Sequence, residues 1–111
     1  MMKMTIDQYQ EWTKEVAIYP DAGTGRDGEL YYLGLGLAGE AGEVSGKISK
    51  LLRDDKLDIG GLAYEIGDCL WFIARLAESL GYSMTDIMEI NHSKLTKRKD
   101  SGTLSGEGDI R

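Results

Sequence analysis

The chain carries a single proline, Pro20, and beyond it apolar residues recur at steps of three and four with no stretch of strand-like alternation. That spacing places them on one face of a helix, and without proline nothing covalent interrupts such helices. The fold class it predicts is all-α, a bundle of about four helices. Thr5 followed by Gln8 has the form of a capping box, and Ile6, Tyr9, Thr13 and Val16 continue at helical spacing. This first helix should end by Tyr19, because the residue before a proline avoids the α region. The polar run from Asp21 to Gly28 then reads as a loop.

A second helix carries Leu30, Leu33, Leu37, Val44, Ile48 and Leu51 on one stripe, with Glu40 filling the gap in the middle. Residues 53–61 break the pattern. Leu62, Ile66, Cys69, Ile73, Leu76 and Leu80 mark a third helix stopped by Gly81. A fourth begins at Ser83, with Asp86 in its first turn, and runs to about Lys99. The glycine-rich, polar end reads as a mobile tail over residues 100–111 of a single domain spanning 1–111. Gly34, Gly36, Gly39, Gly42 and Gly46 all fall inside the second helix, each costing about 1 kcal/mol relative to alanine. Either tertiary contacts offset that cost, in a bundle completed by a dimer or tetramer, or Leu30 to Gly36 is an irregular helix start or loop.

With 111 residues there is room for one core, small enough that partner subunits would help bury surface. The 19 acidic against 13 basic residues, a net charge of −6, argue against nucleic acid or an anionic membrane as partner. The longest uncharged stretch, Leu30 to Gly39, is far short of the roughly 20 residues that span a bilayer. The N-terminus has no signal-like apolar segment, and the lone Cys69 has no partner for an internal disulfide. A reducing cytoplasm fits both observations.

Two acid pairs break the apolar stripes. Glu40 and Glu43 lie three apart on the second helix, and Glu65 and Asp68 lie three apart on the third. Four carboxylates beside a buried seam repel one another and take up protons unless something cationic lies between them. One candidate is a salt-bridge cluster built with Arg75 and Lys47. The other is a hard divalent cation, Mg²⁺ or Mn²⁺, whose oxygen preference suits carboxylates and substrate phosphates. On the fourth helix Asn91, Lys94 and Arg98 share one face, the groups expected to hold phosphate oxygens, although a solvated basic face has the same pattern.

Other chemistries fit less well. Glu89 and His92 form one Glu-x-x-His, but a di-iron bundle uses two and the chain has one histidine. Cys69 lies on an apolar stripe, where packing explains it better than a Cys–His nucleophile. No phosphate-binding loop, zinc spacing or dinucleotide fingerprint is present.

With those residues in place, the sequence resembles the MazG-like all-α nucleoside triphosphate pyrophosphohydrolases. The resemblance rests on Glu40-Ala-Gly-Glu43, an insert from Val44 to Tyr64, then Glu65-Ile-Gly-Asp68, with Asn91, Lys94, Leu95 and Arg98 following in the family's pattern. It implies a homodimer or homotetramer that binds Mg²⁺ through the four acids. The implied reaction hydrolyses a nucleoside triphosphate substrate to the monophosphate and pyrophosphate. It further implies phosphate-binding and catalytic roles for Lys94 and Arg98, with Glu43 a candidate for orienting the attacking water. Trp12 and Phe72 are candidates for holding the base, and core packing accounts for either equally well. The rival reading is a non-catalytic helical oligomerisation or nucleotide-sensing module with a structural ion or salt-bridge cluster.

Overall fold

A computed structural model describes residues 3–106 and 108. Its order is α1 (Ile6–Thr13), a 3₁₀ turn (Lys14–Val16), α2 (Asp27–Asp54), α3 (Ile59–Ser79) and α4 (Met84–Asp100), with no strand among the described residues. The all-α expectation holds.

The helix starts follow their caps. The Gln8 N–H donates to Thr5 Oγ1 at 3.1 Å while the Thr5 N–H donates to Gln8 Oε1 at 2.8 Å. Ser83 and Asp86 form the same reciprocal box at the start of α4. At α3, Asp58 accepts from the Gly61 N–H at 2.9 Å. Gly81, at φ 83°, lets the Tyr82 N–H fold back to the Ala77 carbonyl at 2.9 Å and closes α3 as expected.

Two boundaries become definite. The first helix ends before Tyr19 as expected: α1 stops at Thr13, whose hydroxyl donates to the Gln10 carbonyl at 2.6 Å, and the chain tightens into the 3₁₀ turn to Val16. The second helix is continuous from Asp27 to Asp54, so Leu30 to Gly36 is regular helix. Residues 101–106 form turns and bends after α4. The expected mobile tail over 100–111 lies partly outside the described residues.

The antiparallel pair α2 and α3 forms the main body. Its register brings Gly36 to Phe72, Glu40 to Asp68, and Lys47 to Asp58. Helix α1 rests on α3 and α4, and Gln10 sews them together: its Nε2 donates to the Tyr82 carbonyl at 2.9 Å and its Oε1 accepts from the Met84 N–H at 2.8 Å. Asp7 accepts from the N–H and hydroxyl of Thr85, and those bonds hold its carboxyl below its ordinary value.

The buried apolar set is small: Tyr19, Leu33, Ala74, Ala77 and Met84. A polar knot lies beside it. The Glu29 carboxylate, fully buried, accepts from Tyr19 Oη at 2.6 Å, the Gly23 N–H at 2.6 Å and the Gly25 N–H at 2.9 Å, with the buried Arg75 guanidinium 4.0 Å away. Burial alone would raise the Glu29 carboxyl, but these hydrogen bonds and the Arg75 charge leave it below its ordinary value. The knot fastens the loop before α2 to the helix pair. Among the described residues, no helix is long and apolar enough to cross a membrane.

Candidate functional site

Glu40 on α2 and Glu65 and Asp68 on α3 converge across the helix seam. One carboxylate oxygen from each lies within 4.8 Å of the other two. Glu40 and Glu65 are half-buried and Asp68 is exposed. Burial first, then the charge of Asp68, a hydrogen bond with Glu65 and the charges of Glu65 and Glu43 raise the Glu40 carboxyl above its ordinary value. Glu43 is exposed one turn beyond Glu40, outside the converging three.

The cations proposed for a salt-bridge cluster are engaged elsewhere. Arg75 is buried against Glu29, and Lys47 faces Asp58 at 3.6 Å. The donor set fits a hard divalent ion. Around Mg²⁺ at about 2.1 Å, adjacent oxygens lie about 3 Å apart and opposite ones about 4.2 Å. Three carboxylates already within 4.8 Å need only a small closure to meet those spacings.

Beside Asp68 opens a cleft of about 500 Å³ between α1 and α3, walled by Tyr9, Trp12 and Trp71 and floored by Gly60, Ala63 and Gly67. The rings of Tyr9 and Trp12 lie 5.7 Å apart. Burial and the Asp68 charge raise the Tyr9 phenol. An acid cluster opening onto an aromatic slot suits a ligand with an anionic, metal-binding end and a flat apolar end.

The sequence profile of the MazG nucleotide pyrophosphohydrolase domain matches residues 31–103, a span that contains all four motif acids and the basic face of α4. The chain belongs to the MazG nucleotide pyrophosphohydrolase family. A Mycobacterium phage L5 protein known as Gene 37 protein is 40% identical over 97% of this chain and 100% of its own length. No solved structure matches.

Not every residue singled out from the sequence of this MazG domain stands at the acid cluster. Trp12 lines the cleft, but Phe72 does not; its ring packs on α2 at Gly36 and edge-on against Trp71. Asn91 and Lys94 are exposed on α4, whose packing neighbours are α1 and α3. Arg98 is buried to 6% exposure, and its Nη2 donates to the Gly108 carbonyl at 3.3 Å. Cys69 sits half-buried next to the acids, and burial followed by the charges of Glu40, Asp68 and Glu65 pushes its thiol up, the opposite of an activated nucleophile. Tyr9 and Trp71 are cleft residues that the sequence pattern did not single out. Their signal was present in the small residues Gly60, Ala63 and Gly67, which follow a helical face and leave room for flanking rings.

Proposed function

We propose that this MazG domain is a Mg²⁺-dependent nucleoside triphosphate pyrophosphohydrolase that converts an NTP or dNTP to the monophosphate and pyrophosphate, with Mn²⁺ as a possible substitute ion. The observation that carries the reading is the convergence of Glu40, Glu65 and Asp68 beside an aromatic cleft. In this assignment those three hold the metal, and Glu43, the fourth acid of the motif, stands beside them to act on the water. A divalent ion bound there supplies charge neutralisation for the phosphates and a lowered pKa for bound water.

The protein's own groups do the rest. Glu43, exposed at the rim, accepts the proton of the attacking water and keeps the water oriented. Trp12, Tyr9 and Trp71 hold the base, so that the triphosphate points toward Asp68. Asn91 and Lys94, exposed on α4, supply donors for phosphate oxygens and offset the charge that builds up as the anhydride bond breaks, and Arg98 joins them once its contact with the Gly108 carbonyl opens. Phe72 contributes to the substrate only through the walls it supports.

The reading includes a homo-oligomer in the cytoplasm. A folded monomer of 12.3 kDa exposes about 6,100 Å² by surface scaling, whereas this chain exposes 8155 Å². Ile59, Ile66 and Ile73 of α3 and Leu80 at its C-cap recur every seven residues at 72%, 55%, 36% and 59% exposure, the seam of an unfinished bundle. A second copy covers such a seam. A lone cysteine fits a reducing compartment.

The test is to incubate the protein with each ribo- and deoxyribonucleoside triphosphate and Mg²⁺, measuring monophosphate, pyrophosphate and orthophosphate separately. Equal amounts of monophosphate and pyrophosphate are expected. Orthophosphate as the main product, or no turnover of any nucleotide, defeats the reading.

A further inference from the structure

One contact on the α2–α3 seam is closer than helix packing alone requires. A Cβ placed on Gly36 would lie 2.5 Å from Cζ and 2.9 Å from Cδ1 of Phe72, and nearer still to Cε1. Real Cβ atoms do not approach so closely, so with any other residue at position 36 either the Phe72 ring or the spacing of α2 and α3 must shift. Two neighbouring rings restrict how the Phe72 ring can move. Trp71 stands edge-on to it with centroids 5.0 Å apart, and Tyr32 closes another side at 6.0 Å. The neighbouring glycines of α2 differ: at Gly34, Gly39, Gly42 and Gly46 an added Cβ would meet nothing within 4 Å.

The location gives the contact its meaning. Gly36 lies one turn before Glu40, and Phe72 lies one turn after Asp68. The ring-on-backbone contact therefore lies one turn from the Glu40–Asp68 pair on both helices. We infer that Gly36 and Phe72 are positioning residues that set the distance between the carboxylates of α2 and those of α3, and hence the affinity of the cluster for a divalent cation. The inference rests on reading that cluster as a metal site. Phe72 acts on the ion through helix spacing and does not touch it. A methyl at position 36 pushes α2 outward and moves Glu40 away from Glu65 and Asp68. A smaller side chain at position 72 lets the helices settle differently and also spoils the spacing. Both changes together restore the filled volume.

The experiment titrates Mn²⁺ alone into the full chain by calorimetry, for wild type, Gly36→Ala, Gly39→Ala, Phe72→Leu and the Gly36→Ala/Phe72→Leu double variant. Circular dichroism confirms helicity in each. Wild type and Gly39→Ala should bind alike. Gly36→Ala and Phe72→Leu should each weaken binding by about tenfold, the scale of an outer-shell disturbance. The double variant should recover most of the loss, a coupling that general destabilisation does not produce. If wild type binds Mn²⁺ and both single variants bind it equally well, or if the double variant shows the simple product of the two losses, the positioning role is overturned while the metal site stands. If wild type and Gly39→Ala bind no Mn²⁺, the metal reading falls and the inference falls with it. Should Gly36→Ala not fold, Phe72→Leu decides alone, and unchanged affinity in that variant overturns the proposal.

Discussion

Glu40 and Asp68 face each other across the α2–α3 seam, each with an oxygen inside the same 4.8 Å cluster as Glu65, and burial followed by the Asp68 charge raises the Glu40 carboxyl. A like-charge pair is unfavourable in the bare protein, and a cation held there would relieve it. Asp68→Asn should therefore raise the melting temperature measured in chelator and abolish the extra stabilisation that wild type gains from Mg²⁺. Turnover should fall at least about a hundredfold, beyond the usual loss for an outer-shell group. Melting curves with and without Mg²⁺, read beside pyrophosphate release, check both halves. A variant that still gains stability from Mg²⁺ as wild type does would remove Asp68 from the ligand set.

The aromatic cleft makes a separate demand. Base stacking on an aromatic side chain contributes about 1 to 3 kcal/mol. Trp12→Ala should raise KM for the preferred nucleotide by about tenfold or more, with less effect on kcat. Gly67→Leu, which projects into the cleft from its floor, should do the same, and the first atom of the new side chain, Cβ, meets nothing within 4 Å in the free protein. Steady-state kinetics with unchanged helicity is the measurement. An unaltered KM in both variants would move the base elsewhere.

The helices and the acid pairs were legible because they depend on local spacing. Thr5, Gln8, Ser83 and Gly81 act on residues three to five positions away, so their signals survive in one dimension. Glu40 was conspicuous because a carboxylate interrupts an apolar stripe. Glu29 was invisible for the opposite reason: an acid in the first turn of a helix is unremarkable, and its burial depends on Arg75 and Tyr19, distant in sequence. Phe72 was assigned by residue type as a base holder. Only the register of α2 against α3, with glycine at position 36, turns its ring toward the opposing backbone.

The Glu29 knot predicts a pH dependence. A carboxyl whose folded value is depressed contributes stability that is complete above its ordinary value of 4.5 and is lost as pH falls through the lower folded value. Wild type should therefore lose stability steeply below about pH 4.5. Glu29→Gln removes that contribution and leaves Arg75 buried without its counter-charge, a loss of about 3 kcal/mol at neutral pH. The gap between the two proteins should narrow as pH drops, since protonated Glu29 resembles the amide. Denaturant unfolding from pH 7 to pH 3 tests this, and a constant gap across that range contradicts it.

The exposed heptad of α3 gives the last prediction. Ile73 lies on the seam with Ile59, Ile66 and Leu80, one turn beyond Cys69 and away from the aromatic cleft. In a completed bundle Ile73 is buried, so Ile73→Glu places an unpaired charge in an apolar interface and should drive the assembly apart. In an isolated chain the same change falls on a partly exposed position and should alter stability little. Sedimentation velocity separates the cases: wild type should sediment as a multiple of 12.3 kDa and the variant as a smaller species. The two outcomes also bear on the glycines of α2. At Gly34, Gly39, Gly42 and Gly46 an added methyl group would meet nothing within 4 Å among the described residues, so a second copy packed on α2 is one way to offset their helix-propensity cost of about 1 kcal/mol each. A wild-type protein that sediments at the mass of one chain would leave both the α3 seam and those glycines without a packing explanation.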